Sequence, residues 1–159
     1  MEFVIEARPY DDPDVARMVE EVQTEYVARY GGRDGAAVDA AEFRPPNGLF
    51  LVGLLDGVPV ATGGWRRLDE ETAEIKRMYV AVDARRRGRA RRMLSELERT
   101  IAETGIVRAV LNTGPSQPEA VALYQQSGYL PVTPFGHYAC HPHALFFGKD
   151  LRVVDRLSG

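Results

Sequence analysis

Three strand-like segments joined by short turns restrict the fold more than any other feature of the sequence. Residues 49–55 are a continuous apolar run, and Asp56-Gly57 after it is a strong signal for a two-residue hairpin turn. Residues 58–66 return as a second strand, and after another turn residues 72–82 form a third. Strands joined by turns this short pair antiparallel. The sequence therefore predicts a three-stranded meander in the middle of the chain.

An amphipathic helix and a further strand follow the meander. The apolar residues of the helix recur at steps of four, three and four, which gives it one apolar face. These residues are Ala90, Leu94, Leu97 and Ile101. Gly105 ends the helix, and residues 106–112 form the strand. Because a strand, a helix and a strand in succession connect by a right-handed crossover, this strand is predicted to pair parallel with the strand of residues 72–82.

The rest of the chain completes the predicted sheet. Residues 2–7 are a strand, a helix begins at Pro13 and stops at Gly31-Gly32, and residues 33–48 are short helix and loop. The later elements are a helix at residues 117–127 and short strands at residues 129–132 and 143–149. The predicted fold class is α+β, a mixed and mostly antiparallel sheet of about six to seven strands flanked by helices.

Length and composition narrow the class of protein. The chain of 159 residues has the size of one domain, so residues 1–159 are predicted to form a single domain. No apolar run approaches the roughly 20 residues that a membrane span needs, and the N-terminus lacks the features of a signal peptide. The single cysteine, Cys140, cannot form an internal disulfide, and the net charge is −3. We therefore expect a cytoplasmic protein with neither a membrane nor a nucleic-acid partner.

An arginine-rich turn joins the third meander strand to the amphipathic helix. Six arginines lie within eight residues there: Arg85, Arg86, Arg87, Arg89, Arg91 and Arg92. Unpaired N–H groups at the start of a helix bind phosphate oxygens, and Gly88 lets the backbone approach such a ligand closely. The sequence lacks both the Walker pattern and the dinucleotide pattern G-x-G-x-x-G. The turn is therefore predicted to bind an anion, although an arginine cluster can also be a solvated helix face.

Three motifs around this turn resemble the GNAT superfamily of acyl-CoA-dependent N-acyltransferases. The family signature Q/R-x-x-G-x-G/A is matched by Arg85-x-x-Gly88-x-Ala90. The strand before it, Glu74-Ile75-x-x-Met78-Tyr79-Val80, and the later Gln117-x-x-Ala120-x-x-Leu123-Tyr124-x-x-x-Gly128-Tyr129 are similar to two further family motifs. The element order also agrees. The resemblance covers roughly residues 2–150 and is specific over residues 72–130.

The resemblance implies a binding site for acetyl-CoA as cosubstrate, without a metal, where the parallel strand pair splays apart. The backbone of residues 78–80 would bind the pantetheine arm, and the arginine-rich turn would cradle the pyrophosphate. The implied cofactor-binding residues are Met78, Tyr79, Val80, Arg85, Arg86, Arg87, Gly88, Arg89, Ala90, Arg91 and Gln117. Gln117 stands where the family usually has Asn, so its contact would need a longer side chain.

Glu74 is the residue that the resemblance indicates as the general base. It matches the catalytic glutamate of the histone-type branch, and some relatives carry a glutamate on the next parallel strand, where this chain has Asn112. Unless a bulge intervenes, alternation places Glu74 on the same strand face as Met78 and Val80. Glu74 can instead be a salt-bridge partner of Lys76 or Arg77, or a water chain can remove the proton. The resemblance also indicates Tyr124 as the acid that protonates the departing thiolate, with packing under the sheet as the alternative.

The acceptor site is less distinct in the sequence. Aromatic and histidine residues near strand ends and loops are the candidates for an amine pocket: Phe43, Trp65, Phe135, His137 and Tyr138. For Trp65 the alternative is a place in the core, and for His137 it is a surface loop position without a role. Residues 134–138 resemble a loop of one bacterial branch of the superfamily. Cys140, His141 and His143 do not make a metal-ligand set. Proteins of this fold often pair through sheet edges, so a homodimer is an open alternative to a monomer.

Three functions therefore compete at the level of sequence. The first is N-acetyl transfer from acetyl-CoA to the primary amine of a small molecule, a peptide N-terminus or a lysine. The second is a catalytically idle acyl-CoA sensor, which the presence of both Glu74 and Tyr124 disfavours. The third, nucleic-acid binding through the arginines, requires basic residues beyond one turn and is disfavoured by the net charge of −3.

Overall fold

A mixed sheet of seven strands organises the chain in the computed structural model, which describes residues 2–30, 40–81, 84–85, 88–113, 118–136, 139–140 and 143–152. The strands are β1 (Phe3–Ala7), β2 (Gly48–Leu55), β3 (Val58–Arg67), β4 (Thr72–Val80), β5 (Arg108–Thr113), β6 (Leu130–Pro131) and β7 (Leu145–Asp150). Their order across the sheet is β1-β2-β3-β4-β5-β7-β6. The helices are α1 (Pro13–Tyr30), a 3-10 helix (Ala40–Phe43), α2 (Arg89–Glu103) and α3 (Pro118–Gln126).

The predicted meander and crossover are both confirmed. Strands β2, β3 and β4 pair antiparallel in succession, and β4 pairs parallel with β5. Asp56 and Gly57 have φ values of 50° and 83°, as a type I′ hairpin turn requires. The α+β fold class is therefore correct, with α2 as the crossover helix. The predicted helix stop at Gly31-Gly32 lies outside the described residues.

Helices pack on both faces of the sheet. On one face α2 buries Met93, Leu97 and Ile101 against the strands. On the other face Val15 of α1 joins Phe43 and Phe50 in a second apolar cluster. Adjacent glycines of β3 mark the two faces, because a Cβ on Gly63 would meet Leu97 and Met93, whereas one on Gly64 would meet Phe50 and Phe43. None of the helices in the described part of the chain is long and apolar enough to cross a membrane.

The parallel strands β4 and β5 diverge soon after they meet. Their paired residues are Thr72 with Arg108, Ala73 with Ala109, and Glu74 with Val110. Beyond Glu74, residues 75–76 and 79–80 of β4 pair with β3, while β5 continues beside β7 as far as Thr113. A gap therefore opens between β4 and β5, and within the described residues no strand covers that edge of β4 from Lys76 to Val80.

Gly48 at the start of β2 allows a close approach of two backbone segments. A Cβ at this position would collide with the carbonyl oxygens of Glu42 and Trp65. Backbone atoms cannot move aside as cheaply as the end of a flexible side chain. Gly48 therefore lets the 3-10 helix, which carries Glu42 and Phe43, lie directly against β2 and β3.

We expect Gly48→Ala to lower the free energy of unfolding by about 3 kcal/mol, at the upper end of the overpacking range, because the atoms it meets belong to the backbone. Urea titration followed by the fluorescence of Trp65, the one tryptophan of the chain, measures the change. The control is Val58→Ala at a side chain that is 57% exposed, which should shift stability by less than about 0.5 kcal/mol. Equal urea midpoints for the two variants would contradict the close-approach argument.

Candidate active site

A β-bulge lies in β4 beside the gap. Thr62 of β3 is opposite Tyr79, whereas Gly64 is opposite Lys76, so Gly63 faces two residues, Arg77 and Met78. Arg77 has a φ of 59°, which is the left-handed conformation that the first residue of a glycine-type bulge adopts. For a residue with a side chain this conformation costs about 1–2 kcal/mol. The strand is therefore held in a strained shape at the point where it borders the gap.

The bulge reverses the alternation of side chains along β4. Ala73 and Ile75 lie in the core under α2, and after the bulge Val80 lies there too, with Met78 packed against the same cluster. Glu74, which pairs with Arg66 across the sheet, lies on the opposite face with Lys76. The expectation that Glu74 shares a face with Met78 and Val80 was conditional on a strand without a bulge. The bulge removes that condition, so Glu74 lies on the face opposite Val80.

Glu74 is a buried carboxylate in a chain of ion pairs. Its side chain is 4% exposed, and its Oε1 atom accepts a hydrogen bond from Nε of Arg66 at 3.0 Å and forms an ion pair with Nη2 of Arg66, also at 3.0 Å. Arg66 also donates from Nη1 to Oε2 of Glu42 at 2.7 Å. The Nζ atom of Lys76 lies 3.9 Å from Oε2 of Glu74, which is an ion pair but too long for a hydrogen bond. The two oxygens of Glu74 are therefore held unequally.

Arg66 remains charged within this network. Burial lowers its pKa, but the neighbouring carboxylates of Glu74 and Glu42 outweigh that effect, and the pKa of Arg66 is raised above its usual value. A permanent positive charge beside Glu74 compensates the cost of burying the carboxylate. The salt-bridge role foreseen for Glu74 thus has a partner that the sequence did not indicate, Arg66 on the neighbouring strand, in addition to Lys76.

The N-terminus of α2 offers unpaired backbone donors next to the end of β4. Gly88 caps the helix with a φ of 72°, no side chain of the described residues caps the first turn, and residues 89–92 of that turn include no acidic residue. The space where a Cβ of Gly88 would lie is open. The helix is 15 residues long, so its dipole and its first N–H groups together favour an anion at this end.

The described arginines around this turn brace the protein itself. Arg85 donates from Nε to the carbonyl of Val80 at 2.7 Å and lies over the ring of Tyr79. Arg89 donates from Nη1 to the carbonyl of Ala84 at 2.8 Å. Arg89 and Arg92 both lie over the ring of Phe3, and Arg91 bonds Gln126 at 3.1 Å. Arg86, Arg87 and Gln117 lie outside the described residues.

Tyr124 of α3 is buried on the side of the sheet that faces α2. It is 6% exposed, and its ring meets the ring of Tyr129 edge-on with 5.8 Å between centroids. Tyr129 in turn donates its hydroxyl to Glu98 at 2.8 Å, and Lys149 bonds the other oxygen of Glu98 at 3.0 Å. Burial and the charge of Glu98 raise the pKa of Tyr129 far above its usual value, so its hydroxyl stays protonated. The ring of Tyr129 is therefore held in place by Glu98, and the ring of Tyr124 packs against it.

Two of the predicted pocket residues prove to be core residues. Trp65 is 2% exposed, and its indole N–H donates to the hydroxyl of Thr100 on α2 at 3.0 Å. Phe43 is 2% exposed and stacks on Tyr10 with 5.1 Å between ring centroids. Because both rings are almost fully buried, neither has exposed surface for an acceptor to contact. Both residues therefore pack in the core and do not line a pocket. His137 and Tyr138 lie outside the described residues.

The sequence did not indicate Arg66 as the partner of Glu74, nor Glu42 as the second partner of Arg66. Glu42 and Arg66 are separated by 24 residues, and Arg66 and Glu74 by eight. The sequence does contain one indication of the Arg66–Glu74 pair, the turn between β3 and β4. Counting residues back from this turn along both strands places Arg66 opposite Glu74. Within the described residues no cluster of three or more His, Cys, Asp or Glu side chains could hold a metal ion.

Comparison with known proteins finds relatives of this chain in sequence and in fold. The sequence model of the acetyltransferase (GNAT) family matches residues 15–129. A curated IAA acetyltransferase of Azospirillum brasilense is 31% identical over 139 residues, which cover 86% of this chain and 90% of that protein. The crystal structure of a Klebsiella pneumoniae protein assigned as an acyl-CoA N-acyltransferase has a TM-score of 0.82 at 22% identity, covering 94% of this chain and 97% of the other. The PaiA N-acetyltransferase of Thermoplasma acidophilum, solved with coenzyme A, has a TM-score of 0.73 at 14% identity, with 94% and 99% covered.

We expect Arg66→Met to lower the free energy of unfolding by about 3 kcal/mol, because it leaves the buried Glu74 carboxylate without its main partner. The matched control is Arg67→Met, which removes the same charge from the next residue of β3 and should cost about 0.5 kcal/mol or less. Thermal and urea unfolding measure both. In the double variant with Glu74→Met the loss should be much smaller than the sum of the single losses. Additive losses would show that the two side chains are not energetically coupled.

Proposed function

The chain belongs to the acetyltransferase (GNAT) family, and we propose that it transfers the acetyl group of acetyl-CoA to a primary amine by direct attack. The acceptor amine belongs to a small molecule, a peptide N-terminus or a lysine. The observation that carries the proposal is the bulged edge of β4, open towards the gap, beside the uncapped N-terminus of α2. The thioester of acetyl-CoA needs exposed backbone donors, which the edge of β4 would supply. The diphosphate of the same molecule needs an anion site close by, which the start of α2 would supply.

The diphosphate of acetyl-CoA would bind at the start of α2. Gly88 leaves open space there, and the first N–H groups of the helix carry no side-chain cap. Arg85 and Arg89 contribute positive charge while their guanidinium groups hold the turn through Val80 and Ala84. Arg86, Arg87, Arg91 and Gln117 complete the proposed set, with Gly88 and Ala90 as the positions that need small residues.

The pantetheine arm would lie along the uncovered edge of β4. Backbone groups of residues 78–80 that face the gap can pair with the amides of the arm as an added strand would. The same donors can stabilise the oxyanion that forms when the amine attacks the thioester carbon. The bulge at Arg77 and Met78 supports this role, because it turns the backbone groups of β4 out of the regular ladder.

Glu74 is the proposed base. An amine with a pKa of about 10.4 is neutral in only roughly 1 of 2,500 molecules at pH 7, so the proton must be removed before or during attack. Oxygen Oε1 of Glu74 is engaged by Arg66, whereas among the described residues Oε2 has only the long ion pair with Lys76 at 3.9 Å. We assign proton acceptance to Oε2, through a water molecule, since the carboxylate is 4% exposed.

Tyr124 is the proposed acid for the departing thiolate. Its ring is held edge-on against Tyr129, and its carbonyl accepts the backbone N–H of Tyr129 at 3.0 Å. A side chain fixed in this way can present its hydroxyl at one position beside the gap. Because a thiol has a pKa near 8.5, its thiolate already leaves readily, and we expect the acid to contribute less than the base.

The test of the function is a panel of primary amines incubated with acetyl-CoA, with release of free thiol as the readout. Because the curated relative from A. brasilense is called an IAA acetyltransferase, IAA is included in the panel. Thiol release with an amine, and a product heavier by one acetyl group, supports amine transfer. Tight acetyl-CoA binding without turnover on any acceptor would support the alternative of a catalytically idle sensor, and transfer to IAA alone would replace the amine assignment.

We expect Gly88→Glu to abolish acetyl-CoA binding, measured by calorimetry, because a carboxylate would lie where the diphosphate binds. The matched control is Gly105→Glu at the other end of α2, where the glycine also has a positive φ (88°) and open space for a side chain. A negative charge favours a helix N-terminus and disfavours its C-terminus, so the control should be the less stable of the two and still bind. Unchanged affinity in a folded Gly88→Glu variant would remove the diphosphate from this turn.

We expect Glu74→Gln to lower kcat at pH 7 by about 10²–10³-fold and more than Tyr124→Phe, because the ammonium proton is the harder one to move. Much of the Glu74→Gln defect should recover as the pH rises towards about 9.5, where neutral amine becomes plentiful. The affinity for acetyl-CoA should change little. Near-normal kcat in Glu74→Gln at pH 7 would assign Glu74 to the ion-pair network alone and proton removal to a water chain.

A further inference from the structure

Thr62 of β3 makes a contact with the bulge that the regular ladder cannot make. Its side chain is fully buried, and its hydroxyl donates to the carbonyl oxygen of Arg77 at 2.8 Å. Its backbone is opposite Tyr79, the first residue after the bulge. The contact therefore links Thr62, which belongs to the Thr62–Tyr79 pair next to the bulge, to Arg77, the strained residue of the bulge.

The carbonyl of Arg77 belongs to the peptide that links Arg77 to Met78. Holding that oxygen fixes the rotation of the peptide plane, and the other end of the same plane is the N–H group of Met78. Residue 77 is in the left-handed conformation, with a φ of 59°, which a side-chain-bearing residue leaves readily when nothing holds it. The orientation of the Met78 N–H therefore depends on what binds the Arg77 carbonyl.

The two faces of the bulge are held by different means. On the α2 face, Gly63 has no side chain, and a Cβ there would meet Leu97 at 2.8 Å, so the helix packs directly over this part of β3. On the opposite face the Thr62 hydroxyl supplies the hydrogen bond. Packing against a glycine resists displacement of the strand but has no directional preference for the peptide plane, whereas a hydrogen bond has one.

We propose that Thr62 is a positioning residue that fixes the Arg77–Met78 peptide so that the Met78 N–H is aimed at the thioester oxygen. The inference rests on the proposed function, because it requires the thioester to lie at the bulge. It adds a residue on a neighbouring strand, outside every motif of the sequence, to the machinery of acetyl transfer. Thr62 acts through the backbone of β4 and touches no reacting atom.

The variants that test the proposal are Thr62→Val and Thr62→Ser. Valine keeps the shape of threonine but has a methyl group in place of the hydroxyl, and serine keeps the hydroxyl and lacks only the methyl group. If Thr62→Val does not yield folded protein, Thr62→Ala removes the hydroxyl without adding a second methyl group beside the bulge. Circular dichroism at the assay temperature establishes that each variant is folded.

The first readout is the infrared stretch of the thioester carbonyl of bound acetyl-CoA, labelled with ¹³C at that carbon and measured without acceptor. A hydrogen bond from Met78 polarises the carbonyl and lowers its frequency relative to free acetyl-CoA. We expect the shift to be present in wild type and Thr62→Ser and to be largely lost in Thr62→Val. Equal shifts in wild type and Thr62→Val, or loss of the shift in Thr62→Ser, overturn the proposal.

The second readout separates kcat from affinity. We expect Thr62→Val to lower kcat by about 10-fold or more, because a misaimed oxyanion donor loses its effect, while the affinity for coenzyme A changes less than about threefold. Thr62→Ser should restore kcat to within about threefold of wild type. A parallel loss of kcat and coenzyme A affinity would mean that Thr62 only supports the fold and would overturn the proposal.

The same experiment separates this inference from the proposed function. If wild type binds acetyl-CoA with a shifted carbonyl but acetylates no acceptor, the proposed transfer fails and the infrared comparison still decides the role of Thr62. If wild type itself shows no carbonyl shift, the thioester is not at the bulge, and the role of Thr62 is overturned together with that placement. Turnover in wild type with equal rates in Thr62→Val overturns the role of Thr62 alone.

Discussion

The left-handed backbone of Arg77 is the constraint on which the rest of the candidate site depends. It inserts one extra residue into β4 and so reverses which side chains face α2. Before the bulge Glu74 points away from α2, and after it Val80 lies under the helix. Because Arg77 adopts this costly conformation, β4 presents the Glu74 carboxylate on one face and, beyond the bulge, Val80 on the other. The backbone at the edge of the strand between them is irregular.

The buried carboxylate on this strand is tolerated because its surroundings supply the compensating charge. An unpaired carboxylate that is 4% exposed would cost several kcal/mol in desolvation. Arg66 lies between Glu74 and Glu42 and bonds both, so the 3-10 helix, β3 and β4 are joined by one guanidinium group. Gly48 makes this possible, since it lets the carbonyl of Glu42 approach β2 without a Cβ in the way. Packing and electrostatics at the site are therefore parts of the same arrangement.

The sequence predicted well those features of the fold that depend on residues close together along the chain. The hairpin at Asp56-Gly57, the apolar face of α2 and the parallel crossover all follow from local patterns, and the structure has them. The bulge was not predicted, because it is a property of the register between β3 and β4. Its one trace in the sequence is the pair of consecutive polar residues Lys76 and Arg77, which interrupts the alternation of β4. Trp65 and Phe43 were misplaced for a related reason: an aromatic ring near a strand end suits either a pocket or a core, and only tertiary packing against Thr100 or Tyr10 decides between them.

The arginine-rich turn shows that the number of arginines in a sequence cluster does not give the number of arginines that contact a ligand. Arg85 and Arg89 each bond a backbone carbonyl of the turn, and Arg89 also lies over Phe3 on the far edge strand. Such contacts hold the segment between β4 and α2 in place, so that the first N–H groups of the helix stay aimed at one point. In the part of the chain that the structure describes, no side chain caps those N–H groups, and they cannot rotate away as a flexible arginine can. In the proposed site, the backbone at Gly88 would therefore supply the directional part of anion binding, whereas the arginines would supply the electric field and build the turn that carries it.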